Sequence, residues 1–285
     1  VKRTALLALA LGAPSAGAVA RAQSGSAAST MGVMLQIRPH VGDTLRMRLD
    51  QETEMVAIKR NGAVESKASV VNTMRMFSRA IVEESSVRGT TVLAVTDSVV
   101  LFSTDDPTRK LTGAMQRQLR GQRVRFRVEA DGSMRMSTAD DPPPREVAEV
   151  VSLMPAPFPK AGVMVGESWN REMPLPAGTQ LDAPLSGKLR VTFRFDSLGR
   201  GGDLAYLSMR GEMVPAPGPG SSSATMVESG AVTGTMLVDR RRGWLTDSRF
   251  TIVVVSTIAP SPSTGPSPMR MHLRITQHMA TQERR

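Results

Sequence analysis

The 285-residue chain carries 36 basic against 26 acidic residues, a formal net charge of +10, and contains no cysteine. The lack of cysteine excludes a disulfide framework, a thiol nucleophile and a lipid-modified cysteine anchor. The basic balance suits acidic partners such as anionic lipid head groups, although arginines on solvated strand faces account for it more simply.

The chain opens with Lys2 and Arg3, after which no charge occurs from Thr4 to Ala20. Leu6, Leu7, Leu9 and Leu11 concentrate the apolarity, and Ala20-Arg21-Ala22 places small residues where a signal peptidase reads them. Residues 1–22 therefore read as an export signal cut near Ala22, and the mature protein as periplasmic or secreted. The strongly apolar part is about eight residues long, whereas a membrane span needs about 20. No later stretch approaches that length, so no transmembrane segment is expected in the mature chain. Residues 23–36, rich in small side chains, read as a disordered linker, and 281–285 as a disordered tail.

From residue 37 to 280 the period of the sequence is two, which predicts a single β-rich domain. Leu45 to Asp50, Arg123 to Val128, Lys188 to Phe195 and Met269 to Thr276 alternate apolar with polar or charged residues without a miss. Such alternation sets one face on a core and the other in water, the condition of an antiparallel sheet with one wet side. Longer β-compatible runs cover Val70 to Glu83, Thr90 to Ser103, Asp203 to Met213, Met226 to Asp239 and Trp244 to Ile258. Turn signals stand at Ala130-Asp131-Gly132-Ser133, Leu198 to Gly202 and Arg240 to Gly243. Two helices are expected. Leu111, Met115 and Leu119 give Pro107 to Arg120 an apolar stripe, and Val147, Val150, Val151 and Met154 give one to a segment capped by Asp140-Asp141. The expected fold is mainly β: a large curved antiparallel sheet, a half-barrel of about ten to twelve strands, with about two helices near its concave side.

The chain also echoes itself. Val41-Gly42-Asp43-Thr44 recurs in kind as Val165-Gly166-Glu167-Ser168, each opening a series of strands. This suggests two related halves, 37–154 and 160–280, joined at Pro155-Ala156-Pro157-Phe158-Pro159. In an up-and-down meander the long connections Pro215 to Ala224 and Ala259 to Pro268 fall on one rim, where they would serve as flaps over its mouth.

Chemistry-bearing patterns are scarce. His40, His272 and His278 do not have metal-ligand spacing, since six residues along a strand separate the last two by roughly 20 Å. Neither a phosphate-binding loop nor a nucleophile elbow occurs, and no nucleic-acid-binding pattern is present. Asp105-Asp106 and Asp140-Asp141, each before Pro, read as turn and cap residues. No metal, cofactor or catalytic set is expected, and the chain does not read as an enzyme. Trp169, Trp244, Phe193, Phe195, Met269 and Met271 are the candidates for facing an apolar ligand or anchoring the core. Arg123, Arg125 and Arg127 on one strand, and Arg240, Arg241 and Arg242 at a hairpin tip, are the candidates for contact with an anion.

Gly42-Asp43 before the first strand, the mid-chain prolines leading into Val165-Gly166-Glu167-Ser168-Trp169, and Gly234 to Asp239 closed by Arg242-Gly243-Trp244 form an ordered set. This set resembles a group of exported bacterial proteins that carry a domain of unknown function with a G-[DE]-[ST]-W element, over residues 36 to 280. The overall pattern is also similar to the periplasmic lipoprotein-carrier half-barrels, in which a curved sheet wraps an apolar concavity. That likeness implies an exported β-domain that binds or carries a lipid-like ligand, a lipid or a lipoprotein acyl chain, in the cell envelope. The rival is a non-enzymatic structural or interaction module with an envelope protein as partner. A concavity of several hundred Å3 fits the carrier, and a filled one fits the module.

Overall fold

The period-two segments become strands, and the computed structural model describes residues 32–61, 64–136, 157–174, 188–214, 225–260 and 267–282. The strands are β1 (Thr44–Asn61), β2 (Val64–Ser86), β3 (Gly89–Ser103), β4 (Arg123–Val128), β5 (Met134–Met136), β6 (Ser168–Pro174), β7 (Lys188–Gly199), β8 (Leu204–Val214), β9 (Thr225–Asp239), β10 (Trp244–Ile258) and β11 (Met269–Gln282). Helix α1 (Lys110–Leu119) lies between β3 and β4. All the strands join one 11-stranded sheet in the order β5-β4-β3-β2-β1-β11-β10-β9-β8-β7-β6. Every neighbouring pair is antiparallel. This is a meander in circular order, opened between β5 and β6.

The sheet curves enough to bring its two ends into one core. Phe126 and Val128 of β4 share a buried cluster with Phe193 and Phe195 of β7. A half-barrel follows from the patterning itself, because an apolar face this long must be covered and a sheet that bends toward it covers part of it. In β7, exposed and buried residues alternate from Lys188 through Phe195, as its sequence requires.

The connections sort by rim. Tight turns at Val87–Arg88, Gly199–Asp203 and Arg240–Gly243 leave one rim. The opposite rim carries α1 and the strand ends Pro174, Lys188, Val214, Thr225, Ile258 and Met269. The two segments expected to act as flaps thus depart from the same rim, and most of their residues lie outside the described ones.

Helix α1 forms where the Leu111, Met115 and Leu119 spacing predicts it, three residues shorter at its start. Asp106 sets that start: its carboxylate accepts from the backbone N–H of Lys110 (3.2 Å) and of Thr112 (2.8 Å). These bonds, the Thr112 amide first, hold the Asp106 carboxyl below its ordinary range. The helix packs on β3 beyond the stretch that β4 pairs, and Gln116 donates to the Leu101 carbonyl there (3.0 Å). It therefore shields an otherwise unpaired edge. The second expected helix, over 142–154, lies outside the described residues.

The two echoed turns make the same bonds. At the first, Gly42 has φ 87°, its N–H meets the Val82 carbonyl (2.9 Å), the Asp43 carbonyl accepts from Val82, and the Asp43 side chain accepts from the His40 N–H (3.0 Å). At the second, Gly166 has φ 92°, its N–H meets the Phe195 carbonyl (2.6 Å), the Glu167 carbonyl accepts from Phe195, and the Glu167 side chain accepts from the Met164 N–H (2.7 Å). A left-handed glycine followed by an acid that bonds back three residues is what both sequences supply. The linker read over 23–36 needs correction at its end. Val33 bridges Val163, and Leu35 is 1% exposed, because its side chain joins the sheet's core.

Candidate functional site

Strand register assigns every inward residue. One face carries Phe126 and Val128 (β4), Val92 (β3), Ala80 and Val82 (β2), Leu45, Met47 and Leu49 (β1) and Met271, Leu273, Ile275 and Met279 (β11). It continues through Phe250, Ile252 and Val254 (β10), Val232 and Met236 (β9), Leu207 and Met209 (β8), and Phe193 and Phe195 (β7). Most charged residues occupy the other face; Arg171 of β6, which pairs with the inward Val191, is an exception. The inner face is thus a mainly apolar surface running across the sheet, broken by Gln51 and Gln277.

Short irregular segments fill much of this concavity, and α1 does not. Leu35 and Ile37 enter from the chain before β1, with the Ile37 N–H on the Ala130 carbonyl (3.0 Å) and the Arg38 N–H on the Gly243 carbonyl (2.8 Å). Phe158, wholly buried, enters from the stretch between β5 and β6. Its N–H bonds to the Asp131 carbonyl at the β4–β5 turn (3.0 Å), and its own carbonyl accepts from Arg171 of β6. Trp169 of β6 donates its indole N–H to the Pro157 carbonyl. Pro157 and Phe158 therefore strap the two free ends of the sheet together. Of the two expected helices, α1 packs on β3 and the one over 142–154 lies outside the described residues. Pro157 and Phe158 are held here by side chains of β6 rather than by a helical ladder.

Among the described residues, a cavity of about 40 Å3 lies inside, lined by Met47, Met134, Phe158, Met236, Trp244, Phe250, Gln277 and Met279, among others. A wider opening of about 330 Å3 lies over Arg46, Phe77, Arg79, Asp97 and Gln282. Two of its charges are engaged with each other, Arg79 on Asp97 at 2.8 Å.

The apolar candidates sit on or beside the concavity, though not all in one place. Trp244 lines the cavity. Phe193 and Phe195 lie deep in the β7 row, with Trp169 stacked on Phe193 at 6.0 Å and 15°. Met271 is buried on the inner face and Met269, the first residue of β11, is half-buried. The sequence reading missed Phe158, Gln277 and Ile37. Phe158 stood in a segment read only as a joint, and its flanking prolines were the available signal. The β1–β2 hairpin was also missed, although Asn61-Gly62 is a strong turn pair; Asn61 pairs directly with Val64.

The basic candidates lie outside and are largely paired. Arg125 grips Glu83 with two bonds (2.7 and 3.1 Å), and Arg127 donates to the Arg88 carbonyl (3.0 Å) and approaches Glu129 (3.6 Å). Arg123 is exposed on the same face. Arg240 donates to the Gly202 carbonyl, Arg242 lies 3.8 Å from Asp239, and Arg241 is exposed at the same turn. Among the described residues no group of three or more His, Asp or Glu could hold a metal ion.

The Arg125 side chain holds the Glu83 carboxyl below its ordinary range, against the opposing effect of burial. A carboxylate made more acidic by folding adds stability above its unfolded pKa, about 4.3, and that contribution disappears as pH falls through the lower folded value. Glu83→Gln should therefore lower stability by less than about 1 kcal/mol at pH 7. The difference from wild type should shrink below about pH 4. Urea midpoints of both proteins at pH 7, 5 and 3 check this, and a pH-independent difference would contradict it.

No protein-family model and no curated protein matches the sequence. Among solved structures, the chain is similar to lipovitellin, in a structure titled for its lipid–protein interactions, with a TM-score of 0.51 and 10% identity. The match covers 86% of this chain and 25% of that one, so the chain spans about a quarter of the length of that relative in fold. The likeness is one of fold.

Proposed function

We propose that this β-domain binds an apolar or amphipathic, lipid-like molecule along the inner face of its sheet. The carrying observation is the mainly apolar inner face that is completed by Leu35, Ile37 and Phe158, which do not belong to the sheet. A cavity of about 40 Å3 does not hold an acyl chain. The ligand must displace part of that filling, and Phe158 is the plug most readily moved. It is fixed by one backbone bond and by side chains reaching its strap, whereas each strand is held by a full ladder. Methionines on the wall adapt to a chain of irregular shape. Lipovitellin, whose structure concerns lipid interactions, supports the reading through its fold. The leader read in residues 1–22 would place this binding in the cell envelope.

The smallness of the cavity favours a second reading, a module whose concavity is permanently filled by its own chain and whose partner is another envelope protein. Native mass spectrometry and solvent extraction of protein purified from the envelope separate the two. Carriage predicts about one lipid-sized adduct per chain and a mass consistent with cleavage near Ala22. A chain with no adduct, which also fails to take up a fluorescent apolar probe, would leave the module reading.

A further inference from the structure

Two buried polar groups beside the same cavity lack partners. The indole N–H of Trp244 (3% exposed) and the side-chain carbonyl of Gln277 (2% exposed) have no hydrogen-bond partner among the described residues, and both residues line the cavity. Gln277 interrupts the inward row Met271, Leu273, Ile275, Met279, where any apolar side chain would continue the pattern. Directly across the ladder stands Gln51, whose side-chain carbonyl is also buried and has no partner among the described residues. Leaving such groups unbonded costs about 1–3 kcal/mol each, a cost that an apolar Leu or Phe would avoid.

We propose that this cavity is the head-group end of the lipid site and takes an uncharged hydroxyl, which accepts from Trp244 and donates to Gln277. The inference rests on the reading that the inner face binds a lipid-like molecule. The size fits, since about 10–15 Å3 of such space is enough for one water molecule and a hydroxyl is no larger. The chemistry fits as well: one free donor and one free acceptor match an O–H, which is both. Every residue lining the cavity is uncharged, so an ionised phosphate or carboxylate would be buried there without a counter-charge. The chain of the ligand then runs from this point along Met47, Met134, Met236 and Met279 into the space that Phe158 occupies.

The test compares 1-dodecanol with its methyl ether, of the same chain length but unable to donate. Both compete for a fluorescent apolar probe on the full chain, in wild type, Gln277→Leu and Trp244→Phe. Wild type is expected to prefer the alcohol by about tenfold or more. Gln277→Leu should bring that ratio close to one while leaving ether affinity and melting temperature no lower. Trp244→Phe keeps an aromatic ring but loses the indole N–H, and should reduce affinity for both ligands. Equal binding of alcohol and ether by wild type, as expected if the two groups serve only a buried water, would overturn the head-group site and leave the lipid-binding reading standing. Failure of wild type to bind the probe or either ligand would reject both.

Discussion

Phe193→Ala is expected to cost about 3–5 kcal/mol of stability, as for other wholly buried aromatic residues. Phe193 is 0% exposed and sits in the inward row of β7 between Val191 and Phe195. Its ring stacks on Trp169 of β6, an edge strand whose only partner in the sheet is β7. Trp169 in turn donates to the Pro157 carbonyl, one of the contacts that fix the strap across the opening. Truncation therefore leaves a cavity and also loosens the end of the sheet that the strap must hold. The chain has two tryptophans, so emission reports on Trp169 with Trp244 as the only other contributor. The urea midpoint should fall and the emission should move to longer wavelength. Thr192→Ala, one residue away on the wet face, removes only the exposed bond to Asn170 (2.7 Å) and should shift the midpoint little. Similar losses for the two variants would contradict the assignment of faces on which the whole site rests.

That assignment of faces is where the sequence was most legible. The alternation in Lys188 to Phe195 and Met269 to Thr276 is a direct consequence of two-residue strand geometry, and the buried pattern reproduces it. The circular order was not legible, because nothing in the sequence of β1 or β11 marks them as partners. Their pairing from Arg46–Gln282 to Lys59–Met269 is a long-range event, decided by burial of the shared face. Arg125 illustrates a limit of a different kind. Its spacing suggested a basic rail, but whether a strand-face arginine is free depends on the acid across the ladder, and here that acid is Glu83, 42 positions away.

The site was legible in kind and not in position. The period-two strands with their Trp, Phe and Met candidates pointed to an apolar interior, and Trp244 does line a cavity there. Which residues complete the interior depends on segments without periodicity. Leu35 and Ile37 fell partly in an apparent linker, and Phe158 fell in a proline-rich joint. Such stretches carry no pattern, because each buries only one or two side chains and no regular ladder repeats them. Gln277 was hidden for the opposite reason: it falls in phase with the apolar residues of a regular strand, where its polarity looks like a minor lapse.

Gly243→Ala is the other substitution with a large expected effect, and it acts on the filling of the concavity. Gly243 follows the arginine tip of the β9–β10 hairpin, and its backbone has φ 60°, a left-handed conformation that costs an L-residue about 1–2 kcal/mol. A Cβ there would stand 2.3 Å from the Arg38 carbonyl oxygen and 2.5 Å from its carbon. Both are backbone atoms and cannot swing aside as a side chain can. The chain before β1 must then move off, breaking the Arg38–Gly243 hydrogen bond and drawing Ile37 out of the cavity wall. Exposing Leu35 and Ile37 costs roughly 1.5–3 kcal/mol for each side chain, part of which the freed backbone entropy offsets. The expected loss is about 2–4 kcal/mol, with hydrogen exchange accelerated first at the amides of Val33, Ile37 and Arg38 while those of β10 and β11 stay protected. If the segment is a removable part of the filling, the same variant should take up an apolar probe more readily than wild type. Accelerated exchange without any gain in probe binding would mean that the opened concavity does not accept an apolar molecule, and would count against ligand binding on this face.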